Sequence, residues 1–469
     1  MAVISLGRRS GREINMCEGP MLKNILLFAF PIFITQVLQL LFNAADLMVV
    51  GNFCGSNSIA AVGATGSFCA LFVNIFGGLG SGVGAVMARA TGAGDREKCQ
   101  RIVHTTIPLA LICGGFVNLL LVLLAEKVLT IMGTPAEVLP LSTLYVRIYA
   151  FGMMPNLLYN FCAAILRSRG DSRRPLYYLT TAGVMNVLLN VVLVTVFHMD
   201  VAGVALATAF SHLVSAVLVT IQLLRRGDEC RLFFRKMRFH LAELKEIIRI
   251  GLPAGIQSAM FSISNVIIQS AINSFGAIVM AGSSAASSIC NFIYAGVNAF
   301  NQTGMTFTGQ NFGARKLDRV SRVIRICVLS AMITEMVLSG IAILLGRPLL
   351  SIYISDSAEA IHYGLIRLTL LSSLYCIAGA MDVSGSVLRG MGCSLPPMIT
   401  SVFAHCIFRS LWAMLVFPMF RSSPHAWEML LISYPISWFL AAFANWMIYR
   451  RHIRKLRREM AQETQTAEA

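Results

Sequence analysis

Long apolar segments recur along the whole chain and constrain its fold more than any other feature. A helix that crosses the hydrocarbon core of a bilayer needs about 20 mostly apolar residues. Hydrophobic residues make up 56% of the sequence and charged residues only 13%, whereas soluble domains contain roughly 45–50% and 25%. We therefore predict an all-α polytopic membrane protein. Twelve segments are long enough to span: 24–50, 58–87, 102–124, 138–165, 175–197, 201–224, 249–273, 277–308, 320–345, 359–387, 397–420 and 427–449.

The basic residues are divided unevenly between the two sets of loops. Of the 38 lysines and arginines, 32 lie in or beside the N-terminal segment and the loops after even-numbered spans, and three lie in the other loops. Because cytoplasmic loops carry the excess of positive charge, we predict cytoplasmic N- and C-termini in a plasma or inner membrane. The net charge of +16 then faces the anionic inner leaflet. Dispersal of the charge among short loops argues against nucleic-acid binding.

A short motif occurs twice, 222 residues apart. The chain reads LRSRGDSRRP at 166–175 and LRGMGCSLPP at 388–397, and the same offset places Pro31 on Pro253. Six spans separate the copies, so both halves enter the membrane in the same sense. We predict two six-helix lobes related by a pseudo-two-fold axis along the membrane normal. The resulting domains are an N-terminal segment, N-lobe, linker, C-lobe and tail, at 1–23, 24–224, 225–248, 249–449 and 450–469.

The repeated motif has the chemistry of a tight helical hairpin. Arg167 favours a helix C-terminus, Gly170 suits the left-handed cap position, and Pro175 suits the first turn of the next helix. The linker has helical spacing from Leu241 onwards, which predicts a helix on the membrane surface. The polar tail is expected to be disordered.

Span 1 carries the most informative ionisable group. Polar residues follow Pro31 at helical spacing, which places them on one face, and Asp46 ends the series. Ionisable groups within lipid are expensive and mark ion or substrate pathways. Spans 5 and 6 add amides and a hydroxyl. We predict a cation or proton site formed by Asp46, Gln39, Asn43, Asn186, Asn190 and Thr208, with Pro31 and Pro253 as hinges. Interface capping by Asp46 is the structural alternative.

The two halves differ at this site. The repeat offset maps Gln39 onto Phe261 and Asp46 onto Ile268, so only the N-lobe has a carboxylate there. A scaffold role would tolerate symmetry, whereas a single cation site accounts for its loss.

Span 8 is unusually polar and is expected to line a water-filled cleft. Its sequence SSAASSICNFIYAGVNAFNQTG repeats polar side chains every three or four residues. We assign the substrate cleft to Asn291, Tyr294, Asn298, Gln257 and Asn265. In the later spans Asp382 is a possible second protonatable site or a locally paired acid, and Glu335 is a further acid. Arg147, Arg367 and Arg409 are expected near span ends or paired within the bundle.

Other chemistry has no visible residues. The sequence contains no GxSxG, HExxH or Walker A motif, so we predict no enzyme activity. The twelve cysteines form no CxxC pair and read as small buried hydrophobes. No metal or organic cofactor is predicted.

An ordered set of stretches resembles the multidrug and toxic compound extrusion (MATE) transporters of prokaryotes. They cover about residues 20–450 and read FPIFITQVLQLLFNAADLMVVGNFCG, ARATGAGDREK, LRSRGDSRRP, VAGVALATAFS, IGLPAGIQS, LRGMGCSLPP and YPISW. The resemblance implies twelve helices in two lobes and export of cationic, often aromatic drugs in exchange for H⁺ or Na⁺.

The resemblance also supports some residues and departs at others. Asp46 follows Pro31 by fifteen residues, as the family's first-helix aspartate does, and Gln39, Asn186 and Thr208 match family positions. The family's second aspartate is Asn190 here. Its fourth-helix asparagine falls on Ala163, with Asn160 one turn away in the cleft. No glutamate of the Na⁺-coupled branch occurs in span 7, so the coupling ion and its stoichiometry stay open.

Two other functions are compatible with a chain of this type. A flippase for a lipid-linked cell-envelope precursor is the first, although such proteins often carry more spans and a cationic cleft. A channel is the second, but it would need neither two lobes nor this asymmetry. We expect a secondary active exporter of cationic or amphipathic drugs, with small molecules and the lipid bilayer as its partners. The sequence does not indicate the cargo's identity or an oligomeric state.

Overall fold

The computed structural model describes residues 13–354 and 357–468, and this part of the chain is helical without strands. Residues 1–12 of the predicted N-terminal segment lie outside the described residues. The first half contains α1 (Met21–Phe53), α2 (Ser56–Ala93), α3 (Arg96–Ile131), α4 (Leu139–Phe151), α5 (Met153–Ser168), α6 (Arg173–Thr195) and α7 (Asp200–Leu224).

The second half repeats this order with additional breaks. It contains α8 (Leu241–Asn273), α9 (Ala277–Gly313), α10 (Leu317–Leu344), α11 (Gly346–Tyr353), α12 (Ala358–Ser373), α13 (Tyr375–Gly390), α14 (Leu395–Ser401), α15 (Phe408–Leu411), α16 (Ala426–Leu431) and α17 (Ser433–Glu468). Wider π-helical turns at 402–407 and 412–416 flank α15.

The described residues provide twelve apolar spans, as predicted. Ten are single helical stretches, and the other two are the bent pairs α4–α5 and α12–α13, with bends of 44° and 48°. Gly152 lies at the first bend, where a Cβ would come within 2.8 Å of the Ala209 Cα. The missing side chain therefore lets the bend pack closely against α7.

Two compact units divide the chain, and the divisions fall inside helices. The first unit comprises residues 1–16 and 30–255, and the second comprises 17–29 and 256–469. The divisions in α1 and α8 each lie within about one helical turn of Pro31 and Pro253. Proline lacks the backbone N–H that would support the preceding turn, so each division coincides with a weak point in its helix.

Within the first unit, α8 begins by packing tightly against α2. A Cβ on Gly78 would lie 2.2 Å from the backbone nitrogen of Gly255, and one on Gly82 would lie 2.5 Å from the carbonyl oxygen of Ile247. The glycines of span 2 thus permit backbone contact.

Ion pairs hold the same region of α8 in place. Arg89 pairs with Glu246 at 2.7 Å and Arg101 with Glu243 at 2.7 Å. The predicted surface helix from Leu241 is wrong, because these residues are the first turns of the continuous helix α8 and are buried against protein on one side.

The repeated hairpin adopts the same turn in both units. Gly170 and Gly392 have φ of 96° and 88°, in the left-handed region that favours glycine. The next N–H in each copy bonds back to the carbonyl of Leu166 at 3.1 Å and of Leu388 at 2.9 Å, as in a helix C-cap. The turn predicted from the motif is confirmed.

The chain end differs from the prediction. Helix α17 continues to Glu468, so residues 450–468 extend the last span and are not disordered. Basic residues on this extension reach other parts of the second unit, since Arg457 pairs with Asp318 at 2.9 Å and Arg315 with Glu463 at 3.1 Å.

Candidate functional site

Asp46 lies in a cluster of polar side chains from three helices of the first unit. The amide of Asn190 on α6 donates a hydrogen bond to the Asp46 carboxylate on α1. The same amide group reaches the Asn186 Oδ1 at 3.5 Å, and the Asn186 amide donates to the Thr208 hydroxyl on α7 at 3.3 Å. Both asparagines are buried, at 0% and 4% exposure for Asn190 and Asn186, while Asp46 is half-buried.

Close packing of α1 on α6 brings this cluster together. A Cβ on Gly183 would lie 1.9 Å from the ring of Phe42, so only glycine admits the ring. Asp46 is one turn after Phe42, and Asn186 is about one turn after Gly183, so each polar residue shares a helix face with its contact residue. A glycine on α6 therefore sets the distance across which Asn190 reaches the carboxylate.

One acceptor in the cluster has no partner. The Oδ1 of Asn190 is buried and makes no hydrogen bond within the part of the chain that the structure describes. A buried amide oxygen without a donor is costly and offers a ligand atom to a proton or cation.

The remaining residues of the predicted stripe lie apart from the cluster. Thr35 donates to the carbonyl of Pro31 at 2.7 Å, and α1 runs continuously through this proline. Gln39 is half-buried and Asn43 is exposed. Neither is hydrogen-bonded to the Asp46 cluster among the described residues.

A second polar network occupies the second unit. The hydroxyl of Tyr294 on α9 donates to Asp382 on α13 at 2.7 Å. Arg389, two turns further along α13, donates to Gln257 at 3.0 Å and to Asn301 at 3.3 Å. The Gln257 amide in turn donates to Ser401 at 2.9 Å. Asp382 is therefore held by the polar face of α9, while Gln257 has both ends of its amide occupied.

The polar face of α9 is the one that its own unit leaves uncovered. Asn291 is exposed and Tyr294 and Asn298 are half-buried, whereas most residues between them are buried. Asn265 on α8 is likewise exposed. Asn160 is half-buried in the first unit and bonds to Asn156 on its own helix, at 2.7 Å to the side chain. These positions match the sequence expectation of an exposed polar face, except that Asn160 is committed locally.

Glu335 on α10 is a carboxyl group whose environment the sequence did not reveal. It is completely buried, and neither oxygen has a hydrogen-bond partner among the described residues. Gly379 on α13 makes room for it, since a Cβ there would lie 2.1 Å from Oε2. Asp382 follows Gly379 by about one turn, so both acids adjoin the same face of α13.

The three arginines within spans have different outcomes. Arg147 pairs with Glu126 at 3.5 Å at an exposed position, as expected. Arg367 and Arg409 have no carboxylate within ion-pair distance among residues 13–354 and 357–468. The expectation that all three are paired or at span ends is wrong for these two, because their buried partners are hydroxyls and aromatic rings.

The family model MatE matches this chain twice, over residues 31–192 and 253–414. The two matches start 222 residues apart (253 − 31) and end 222 residues apart (414 − 192), the spacing of the repeated hairpin. Together they cover more than half of the chain. The chain belongs to the MATE family. Members of this family are transporters, and the chain is accordingly a multi-pass membrane protein.

Relatives at the level of sequence cover most of this MATE chain. The probable multidrug resistance protein YoeA of Bacillus subtilis is 27% identical over 391 residues, which is 81% of this chain and 84% of YoeA. The multidrug export protein MepA of Staphylococcus saprophyticus is 21% identical over 386 residues, which is 81% of this chain and 85% of MepA.

Solved structures share the fold over nearly the full length. A multidrug resistance MATE transporter in an outward-facing conformation gives a TM-score of 0.88 at 21% identity, covering 96% of this chain and 100% of that chain. A MOP superfamily transporter from Pyrococcus furiosus gives 0.89 at 20% identity, with 96% and 100% coverage. The fold class, twelve helices in two lobes, is confirmed.

Proposed function

We propose that this MATE transporter exports amphipathic drugs, mainly cations, in exchange for H⁺ or Na⁺, and that Asp46 carries the coupling ion. The observation that supports this most directly is the bond from Asn190 to the Asp46 carboxylate inside the first unit. The names of the relatives, which include multidrug resistance and multidrug export proteins, support drugs as the cargo.

The chemistry of the cluster suits either coupling ion. The carboxylate of Asp46, the Oδ1 atoms of Asn186 and Asn190 and the Thr208 hydroxyl supply hard oxygen ligands for Na⁺. Alternatively, a proton on Asp46 removes its charge, and the acid can then donate to the partnerless Oδ1 of Asn190. No basic side chain contributes to the cluster, so the incoming positive charge meets no opposing charge there.

Ion binding at Asp46 would alter how α1 is held. A hydrogen bond to an ionised carboxylate is roughly twice as strong as one between neutral groups, so neutralising Asp46 weakens its tie to Asn190. Helix α1 would then move about Pro31, where a backbone hydrogen bond is missing. Pro253 offers the matching hinge in α8. Alternating access follows if this movement changes which side of the membrane the cargo site faces.

The cargo site is proposed to lie on the polar face of α9. Asn291, Tyr294 and Asn298 present amides and a ring that suit amphipathic cations, and Asn265 on α8 is similarly exposed. The carboxylate of Asp382, bonded to Tyr294, supplies negative charge and is a second candidate for protonation. Gln257 and Asn160 already have local partners and would contribute less to cargo binding.

The uneven distribution of basic residues supports cytoplasmic termini and a plasma-membrane location. The flippase alternative is not favoured, because the matched relatives carry multidrug names.

Transport by the Asp46→Asn variant tests the coupling role. Everted vesicles or proteoliposomes receive a fluorescent cationic drug, and uptake is driven by an imposed pH gradient or an imposed Na⁺ gradient. Asp46→Asn should lose gradient-driven uptake while the protein remains folded by size-exclusion chromatography.

The matched control is Glu126→Gln, which removes an exposed acid that pairs with Arg147, and it should transport normally. Full gradient-driven export by Asp46→Asn would refute the assignment. Whichever gradient drives the wild type identifies the ion.

A further inference from the structure

Two arginines lie inside the second unit without any acidic partner. Arg409 on α15 is completely buried and Arg367 on α12 is 8% exposed. No carboxylate lies within 4 Å of either guanidinium in the described part of the chain. The acids of this unit are occupied elsewhere, since Asp382 accepts from Tyr294 and Glu335 adjoins Gly379.

Both arginines approach the same aromatic ring. The guanidinium carbon of Arg409 lies 4.3 Å from the ring centroid of Tyr434, and that of Arg367 lies 5.9 Å from it. Arg409 also faces the ring of Phe261 at 5.7 Å. Cation–π contacts compensate a buried cation only in part, and here two cations share one ring.

The hydrogen bonds of the two guanidinium groups are incomplete. The Nε of Arg409 donates to Ser437 at 2.8 Å, and Arg367 donates through Nη1 to Ser283. Both Nη atoms of Arg409 and the Nε of Arg367 are buried without a partner among the described residues. Because arginine stays charged in proteins, these donors cannot be relieved by losing a proton.

The local backbone is also unusual around Arg409. Helix α15 is only Phe408–Leu411, and π-helical turns precede and follow it at 402–407 and 412–416. Such turns are rare and occur frequently at functional sites. They set the direction in which Arg409 leaves the helix, towards Tyr434 and Ser437 on α17.

We propose that Arg409, assisted by Arg367, binds a small monovalent inorganic anion of the chloride class inside the second unit. The partnerless Nη atoms provide the donors, and the surrounding rings exclude water, which strengthens the attraction between opposite charges. The full burial of Arg409 restricts the occupant to a small ion and disfavours a bulky organic acid. This proposal does not rest on the role of Asp46, because the two sites belong to different units.

The test uses the full-length protein in lipid nanodiscs. Binding of ³⁶Cl⁻ is measured by equilibrium dialysis, and thermal unfolding is followed in sodium chloride, sodium bromide and sodium gluconate at equal ionic strength. A ligand that binds only the folded state raises Tm as its concentration exceeds Kd. We expect saturable ³⁶Cl⁻ binding, a Tm several degrees higher in chloride or bromide than in gluconate, and no displacement by a large aromatic carboxylate.

Variants localise the effect. Arg409→Gln should abolish both ³⁶Cl⁻ binding and the dependence of Tm on the anion, and Arg367→Gln should weaken both. Arg147→Gln is the matched control, since that arginine is exposed and paired with Glu126, and it should behave as the wild type. If Arg409→Gln does not fold, Ser437→Ala, which frees the Nε of Arg409, replaces it and should shift ³⁶Cl⁻ affinity.

Several results would overturn the proposal. The wild type would bind no ³⁶Cl⁻ and show the same Tm in all three salts, or chloride binding would survive in Arg409→Gln. Displacement of ³⁶Cl⁻ by the aromatic carboxylate would identify the carboxyl group of an organic anion as the ligand and contradict the restriction to small ions.

Discussion

The Asp46 site and its counterpart in the second half have opposite chemistry. At the repeat offset of 222, Asp46 corresponds to Ile268 and Thr208 to Leu430. Ile268 and Leu430 are both completely buried and belong to one apolar cluster. The same helical frame therefore encloses an ion-binding candidate in one half and dry core in the other.

The asymmetry is reciprocal at a second pair of positions. Asp382 corresponds to Asn160 (382 − 222 = 160), and its partner Tyr294 corresponds to Phe72 (294 − 222 = 72). Asp382 is held by a phenol from another helix, whereas Asn160 bonds within its own helix. Each half thus has a carboxylate where the other is neutral, which teaches that the halves share a scaffold but not a chemical role.

Placing a carboxylate at the counterpart of Asp46 should break the comparison most severely. Ile268→Asp introduces an acid into an apolar cluster without partners, and a buried unpaired ion costs at least several kcal/mol. We expect little or no folded protein in membranes, measured by fluorescence-detected size-exclusion of a fusion protein. Ile268→Val, which should cost about 1 kcal/mol, is the control. A normal yield of Ile268→Asp would show that this position is not dry.

The contact of α1 with α6 should be the next most sensitive feature. Gly183→Ala places a methyl group against the ring of Phe42, and overpacking of this kind costs about 1–3 kcal/mol. We expect a lower Tm and weaker coupling, because Asn190 moves away from Asp46.

The compensating variant Phe42→Ala, combined with Gly183→Ala, should recover part of the lost Tm. Gly115→Ala on α3, where no atom lies within 4 Å of the added Cβ, should leave Tm unchanged or raise it. Equal effects at 183 and 115 would show that packing against Phe42 is unimportant.

The Asp382–Tyr294 bond sharpens the comparison at its second position. A hydrogen bond to a charged group contributes about 1.5–3 kcal/mol, so Asp382→Asn and Tyr294→Phe should each reduce drug export. Their effects should be non-additive in a double-mutant cycle, whereas Asp382→Asn and Asn160→Ala should be additive. Export is measured as drug efflux from cells at matched expression. Additive effects of Asp382→Asn and Tyr294→Phe would mean that the two side chains act independently.

The smallest expected effect concerns a charged cluster that occurs in the first unit. Arg226 in the linker bonds to Asp228 through Nε and Nη2 at 2.8 and 2.6 Å and also pairs with Glu13. Burial alone would raise the pKa of Asp228, but the hydrogen bonds and charge of Arg226 outweigh it and hold that pKa below its usual range. The ionised form is therefore the one that the folded state favours.

The sign of the pH dependence follows. A depressed pKa contributes stability above the unfolded-state value, about 3.9 for aspartate, and this contribution is lost as the pH falls through the lower folded-state value. Asp228→Asn should lower the stability of the first unit by about 1 kcal/mol at pH 7 and by less at pH 3. Thermal unfolding at both values measures this. A constant difference between wild type and variant would contradict it.

Much of the fold could be predicted from the sequence because its signals are local. Apolar length predicted all twelve spans, and the chemistry of Gly170 and Gly392 predicted both hairpins. The predictions failed where one pattern fits two structures. Leu241–Ile248 has the spacing of a surface helix, yet it continues into α8 because Glu243 and Glu246 find arginines on α2 and α3. The polar tail likewise continues α17.

The site was only partly predictable. Residue type and spacing selected Asp46, Asn186, Asn190 and Thr208, which the structure brings together. The same periodicity also selected Asn43, which is exposed, since a helix face carries no information about which neighbour covers it. Nothing in the sequence separated Glu335 and Arg409 from ordinary charged residues at span ends, because burial depends on helices distant in the chain.

The amino-acid sequence by itself determined that this chain is a duplicated bundle of membrane-spanning helices, since apolar length, turn residues and a repeat of 222 positions act within short segments. Only the tertiary structure decided which polar side chains meet. Those contacts depend on helix–helix distances, such as the one that Gly183 grants to Phe42, and on which buried charges are left without a partner. A contact of that kind joins residues more than a hundred positions apart, so it exists only once the helices have packed.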